Sequence, residues 1–200
     1  MKLLSVVLLL LPLSLCLAEV VNDFIVSCPE FFANPNGVVS PPTGFIGSQY
    51  KQICQTLNNT AEFATLYDTT YKIPVYSAYR FTGLKNCTRR TGKWLIEPQL
   101  ENGTLGPNMD TESTLRKRRV LVLNQSVNAD YVGSHFDRGH LAPVYHANSQ
   151  SCSDATFTLT NAAPQNPTFN KRWFHNAEKI VANDLNMNCT NSLLDRILLP

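Results

Sequence analysis

Apolar and polar positions change their rhythm along the chain, and each rhythm predicts an element. Leu3 to Leu17 is an almost unbroken apolar run behind Lys2, interrupted only by Ser5, Pro12 and Ser14. From Lys72 to Phe81, Val75, Ser77 and Tyr79 alternate with Tyr76, Ala78 and Arg80. That aromatic and β-branched stretch predicts a strand with Pro74 near its start. Lys93 to Glu97 predicts a second strand, stopped by Pro98, and the Phe157 and Leu159 alternation over Ala155 to Thr160 predicts another. From Asn170 to Met187 the period lengthens: Trp173, Phe174, Ala177, Ile180, Val181 and Leu185 recur at helical spacing. Thr60 to Tyr67 fits a strand or a helix equally. Pro29 to Gly47, with Asn34-Pro35-Asn36-Gly37 and Pro41-Pro42, is irregular, and Glu101 to Met109 reads as a loop. No repeat is visible. Strands and helix follow no regular βαβ rhythm, so the predicted class is α+β, a mixed central β-sheet with packed helices.

The apolar start changes the picture first. It ends in Cys16-Leu17-Ala18, which puts small residues at −3 and −1 of a cut before Glu19, so residues 1–18 read as a secretory signal peptide. A retained anchor is the alternative, disfavoured by Pro12 and by the lack of a charged stop. No later segment is apolar enough to span a bilayer. Asn58, Asn86, Asn102, Asn124 and Asn188 each begin a glycan acceptor triplet. Both features predict a secreted or lumenal protein.

Without Cys16, the cysteines are Cys28, Cys54, Cys87, Cys152 and Cys189. In an oxidising compartment they are disulfide candidates, and their odd number leaves three options: a free thiol, a bond between chains, or a partner beyond this sequence. Cys28 and Cys54 are placed to staple the irregular segment. No pair has C-x₂₋₄-C spacing, which argues against structural zinc. The reading divides the chain into residues 19–59, an irregular stapled segment; 60–189, one domain; and 190–200, an atypical tail.

The formal net charge is only +2, so bulk charge does not announce a nucleic-acid partner. Arg116-Lys117-Arg118-Arg119 reads first as a solvated face and second as a phosphate-contacting patch. The most informative stretch is Phe136-Asp137-Arg138-Gly139-His140-Leu141-Ala142-Pro143. In an extended segment Arg138 and His140 project to one side. A histidine can take a proton from water at physiological pH, and an arginine can neutralise charge on a phosphoryl oxygen. The plain alternative is a surface turn with an Asp137–Arg138 pair. Downstream come Thr160-Asn161-Ala162-Ala163-Pro164-Gln165, then Asn170 and Glu178 on roughly one side of the predicted helix. Taken singly, Asn170 reads as a helix cap and Glu178 as a surface acid. Together they offer hard oxygen groups of the kind Mg²⁺ accepts.

Asp-Arg-Gly-His-Leu-Ala-Pro, Thr-Asn-Ala-Ala-Pro-Gln and Asn170-x₇-Glu178 together resemble the DNA/RNA non-specific endonucleases of the ββα-metal, or His-Me finger, class. Upstream, Phe63 to Asp68, Ile73 to Tyr79 and Trp94-x-Ile96-Glu97-Pro98-Gln99-Leu100 are similar to the endonuclease domain-containing 1-like branch. The resemblance spans roughly Asp23 to Cys189. It implies a ββα-metal finger and hydrolysis of DNA or RNA phosphodiesters without sequence preference. His140 would be the general base. Asn170 would be the protein ligand to Mg²⁺, with Mn²⁺ as a substitute, and Glu178 would hold a water of that ion. Asn161 would orient His140 or its strand, Arg138 would stabilise transition-state charge, and Asp137 would hold the motif together. Arg89 and Arg90 are phosphate-binding candidates.

The sequence departs from the family at its end. The resemblance implies further strands after the metal-bearing helix, and the sequence reading expects in their place a short apolar tail of Leu193, Leu194, Ile197, Leu198 and Leu199. This leaves open a second function, a truncated, catalytically silent form that binds nucleic acid. A zinc hydrolase built on His135, His140, His146 and His175 is a third reading, with spacings that match no familiar ligand pattern.

Overall fold

The computed structural model describes residues 19–188 and 197–199. The signal-peptide reading for 1–18, Cys189 and most of the tail lie outside the described residues. Strands are β1 (Val20–Val21), β2 (Tyr50–Leu57), β3 (Thr60–Asp68), β4 (Ile73–Tyr79), β5 (Leu95–Ile96), β6 (Asp110–Thr111), β7 (Asp137–His140), β8 (Ala162–Gln165) and β9 (Ile197–Leu199). Helices are α1 (Phe24–Ser27), α2 (Pro98–Glu101), α3 (Glu112–Lys117), α4 (Asn128–Tyr131), α5 (Gln150–Ala155), α6 (Pro167–Trp173) and α7 (Lys179–Asn188). The class is α+β. A five-stranded sheet of order β1-β2-β3-β4-β9 forms the centre, and β5-β6 and β7-β8 form two small ladders.

Every pairing of the central sheet is antiparallel. Asn58 and Asn59, at φ 52° and 61°, make the two-residue turn between β2 and β3. Asparagine tolerates that left-handed backbone, and such turns match the twist of a hairpin. Thr60–Asp68 is thereby settled as a strand. Tyr50–Leu57 is also a strand, where the sequence reading expected irregular structure. Ile197–Leu199 pairs with Ser77–Tyr79, so this part of the expected tail adds an edge strand to the sheet.

The predicted strand over Ala155–Thr160 does not form. Gln150–Ala155 is helical and Leu159–Asn161 is a single 3₁₀ turn. The alternation misled because Thr158 and Thr160 are buried as deeply as Phe157 and Leu159. Their hydroxyls donate to the buried Glu97 carboxylate at 2.6 and 2.9 Å.

The two faces of the sheet meet different partners. Cys54, Ala64, Leu66, Tyr76 and Ala78 pack against Phe24, Cys28, Phe31 and Phe32 of the N-terminal segment. The Cys28–Cys54 disulfide forms within this cluster, as the sequence reading expected. Thr65, Ser77 and Tyr79 point the other way: Thr65 bonds Ser77, Ser77 donates to Asn161 just before β8, and Tyr79 bonds His146. Among the described residues no helix is long and apolar enough to cross a membrane.

Candidate active site

β7 and β8 pair in antiparallel register, His140 opposite Ala162 and Asp137 opposite Gln165, and α6 follows directly. The Gln165 side chain lies across Gly139, where an added Cβ would meet it. Asn166 caps α6, its Oδ1 accepting from the Thr168 and Phe169 amides. Asn170 therefore lies one turn inside the helix and is free of capping duty.

Between α6 and α7 the helix widens into a π-helical turn, Phe174–Glu178. At the ordinary pitch, the x₇ spacing carries Glu178 about 80° past Asn170. A turn closed by i→i+5 bonds rotates less per residue and takes back part of that offset. Both side chains consequently reach one cleft of about 480 Å³, which Arg89, Arg138 and His140 also line. Lys85 and Lys171 add two more cations to the wall, against Glu178 as its acid. The electrostatic balance favours an anion.

The His140 ring is wedged between Trp94 and Phe157, with centroids 4.9 and 4.8 Å away. Its Nε2 is buried and makes no hydrogen bond. Burial, with Arg89 adding to it, pushes its pKa down to about 3. The ring is thus held neutral. Burial also pushes the Glu178 carboxyl up to about 7, with Arg89 pulling the other way. Arg89 itself lies over the Phe157 ring at 5.0 Å.

Arg138 donates through Nη2 to the Asn128 carbonyl and Oδ1, both at 3.3 Å. Its guanidinium sits 4.8 Å from the Tyr131 ring and 5.6 Å from Trp94. Asp137 Oδ2 accepts from Asn170 Nδ2 at 3.1 Å. That bond joins β7 to α6 and leaves the amide oxygen as the group of Asn170 available to a cation.

The Asn161 side chain hydrogen-bonds to residues other than His140. It is fully buried, its Oδ1 accepting from Ala142 N at 2.8 Å and Ser77 Oγ at 2.9 Å. Its Nδ2 donates to the carbonyls of Ala142 and Thr156 at 3.1 and 3.0 Å. The amide is saturated and clamps the chain just beyond His140 to strand β4.

A parallel clamp reaches the helix. His146 Nε2 lies 2.7 Å from the Glu178 carbonyl, an acceptor only, so that nitrogen carries the proton. Nδ1 then accepts from Tyr79 Oη at 2.8 Å. Ser77 and Tyr79, alternate residues of β4, thus support the two halves of the site.

Arg90 is half-buried and is not among the residues that line the cleft, unlike Arg89. Of the zinc-hydrolase histidines, His146 is committed to Tyr79 and Glu178, and His135 is exposed in a loop at φ 64°. Among the described residues no three His, Cys, Asp or Glu gather as a metal cluster. A cation that needs one amide oxygen, with a carboxylate nearby and water elsewhere, fits the donors present. Arg116 to Arg119 is exposed, as a solvated face requires. Asn58, Asn86, Asn102, Asn124 and Asn188 are exposed as well, and Asn86 lines the cleft.

The profile of the DNA/RNA non-specific endonuclease family matches residues 42–193, and the chain belongs to that family. It is 33% identical over 179 residues to the human endonuclease domain-containing 1 protein, covering 86% of this chain and 31% of that one. It is 38% identical over 92 residues to bovine mitochondrial endonuclease G, covering 45% of this chain and 31% of that one. The chain thus spans under a third of the length of these relatives. A solved EndoG/EndoGI complex aligns at 21% identity and TM-score 0.42, over 64% of this chain and 46% of that one.

Proposed function

We propose that this protein is a metal-dependent endonuclease that hydrolyses DNA or RNA phosphodiester bonds without sequence preference, in the secretory lumen or outside the cell. The observation that carries this is the cationic cleft in which a neutral His140, Asn170 and Glu178 meet. Neutral imidazole is the form a general base needs, and His140 takes the proton of the attacking water as it adds to phosphorus. A base held near 3 would be weak. The negative phosphate that enters beside Arg89 and Arg138 favours the protonated ring and raises its basicity during the reaction. Arg138, fixed on Tyr131 and Asn128, neutralises charge on the phosphoryl oxygens.

Asn170 would hold Mg²⁺ through Oδ1, with Asp137 fixing its amide, and Glu178 would hold a water of that ion. When bound, Mg²⁺, or Mn²⁺ in its place, supplies Lewis-acid polarisation of the phosphate. Phosphate-directed cations carry no base information, which supports cleavage without sequence preference. The Cys28–Cys54 bond supports an oxidising compartment.

The test is cleavage of plasmid and RNA by the full chain across a Mg²⁺ series. Asn170→Ala is expected to raise the Mg²⁺ needed for half-maximal rate by ~10-fold or more. Cleavage that persists in chelator would contradict the proposal. Salt-sensitive binding without cleavage in either metal would put a binding role in its place.

A further inference from the structure

Cys87 and Cys152 are the free cysteines among the described residues. Cys87 sits in the stretch 80–94, which joins β4 to β5 without regular structure and carries Arg89 over the cleft. Cys152 is buried on α5. These two elements are already tied at one point. Gln150 Oε1 accepts from the Thr88 amide at 2.8 Å, and its Nε2 donates to the Thr88 carbonyl at 2.9 Å. Thr88 adjoins Cys87, and Gln150 lies one helical half-turn before Cys152. The Cys152 thiol is pushed up to about 12, chiefly by burial, and Cys87 is close enough to add to that push.

We infer that Cys87 and Cys152 form a disulfide that fastens the Arg89 segment to α5. The half-buried Cys87 is the more accessible thiol. Its thiolate attacks the disulfide of an oxidant, a protein or small-molecule disulfide, and expels one thiolate. The Cys152 thiolate then attacks the Cys87 sulfur of the mixed disulfide and expels the second. Two protons leave the cysteines, two electrons pass to the oxidant, and one S–S bond forms here as another breaks.

The bond has a consequence for the site. Cys87 lines the cleft two residues before Arg89, whose guanidinium bears on both His140 and Glu178. Elsewhere in the segment the Leu84 amide donates to Asn186 Oδ1 at 3.1 Å, and Phe81 packs into a buried cluster with Ala182. A covalent tie beside Arg89 restricts where its charge can sit. The bond itself is independent of the nuclease reading, whereas this catalytic effect rests on it.

The experiment uses the full chain made in an oxidising secretory pathway. Free thiols are alkylated under denaturing conditions, and unreduced peptides are mapped by mass spectrometry. A peptide pair joined through Cys87 and Cys152 is expected. Alkylation of both residues, or either one joined to Cys189, would overturn the inference. Cleavage is then measured for Cys87→Ser, Cys152→Ser and the double variant. Each is expected to lower kcat/KM by ~10-fold, with the double no worse than either single, because both remove the same bond. Additive losses would contradict a shared bond. A wild type that carries the bond and cuts nothing refutes the nuclease reading alone.

Discussion

Tyr76 and Ala78 on one face of β4 enter the apolar cluster beneath the Cys28–Cys54 staple, whereas Ser77 and Tyr79 on the other support the cleft. The first face works by burial, which is strong and tolerant of small shifts. The second works by hydrogen bonds, each worth only about 1 kcal/mol net but directional. One strand therefore divides stability from placement. Damage to the apolar face should unfold the protein without retuning the chemistry. Damage to the polar face should leave a folded protein whose site is displaced.

The largest expected break is on the apolar side. Phe32 is fully buried, with its ring 4.8 Å from Phe24, and Phe32→Ala is expected to cost about 3–5 kcal/mol in denaturant unfolding. The fraction that stays folded should keep its kcat; a lost kcat would show that the two faces are coupled.

On the polar side, Ser77→Ala leaves the Asn161 amide and the Thr65 hydroxyl each short of a partner. The expected cost is ~1–2 kcal/mol, with kcat/KM falling about tenfold as the segment after His140 loosens. Tyr79→Phe should act similarly through His146, but raise the Mg²⁺ requirement more than it lowers kcat. Equal effects on both parameters in the two variants would erase the distinction between the clamps.

Glu178 gives the most selective effect, confined to one side of a pH window. Its carboxyl is raised by burial, so folding favours the protonated form. That contribution is fully present below the ordinary carboxylate pKa and is lost as pH rises through about 7. In metal-free buffer, Glu178→Gln should match wild type below the ordinary carboxylate pKa, at pH ~4, and be more stable at pH ~8. The gain is expected to be about 1–2 kcal/mol, allowing for partial solvent screening. No difference at pH 8, by thermal melts, would mean the carboxylate is better solvated than its surroundings imply.

How much of this was legible follows from how many sides each element buries. β4 showed itself because its faces differ in chemistry, and the helix beyond Asn170 because one side stays wet. β2 was hidden, since Ile53, Cys54, Gln55 and Thr56 are consecutively buried and one of them is a glutamine. Thr158 and Thr160 imitated an outward face while serving the buried Glu97. Within the site, His140, Arg138, Asn170 and Glu178 were singled out only through the family resemblance of their motifs, and all four line one cleft. The π-helical turn was not legible, because no residue type encodes it. Nor was His146, an ordinary histidine until its two partners are known. Ser77 and Tyr79 did carry a signal: hydroxyls on the same side of a strand that the rest of the sequence requires to be buried.

The most direct test of the central claim is the rate of plasmid nicking in Mg²⁺ by wild type and His140→Ala, purified identically. Loss of the proposed general base is expected to lower the rate by ~10²–10⁴-fold, with melting and nucleic-acid binding little changed. A substituted protein that nicks at the wild-type rate would contradict the account and place the cutting outside this cleft.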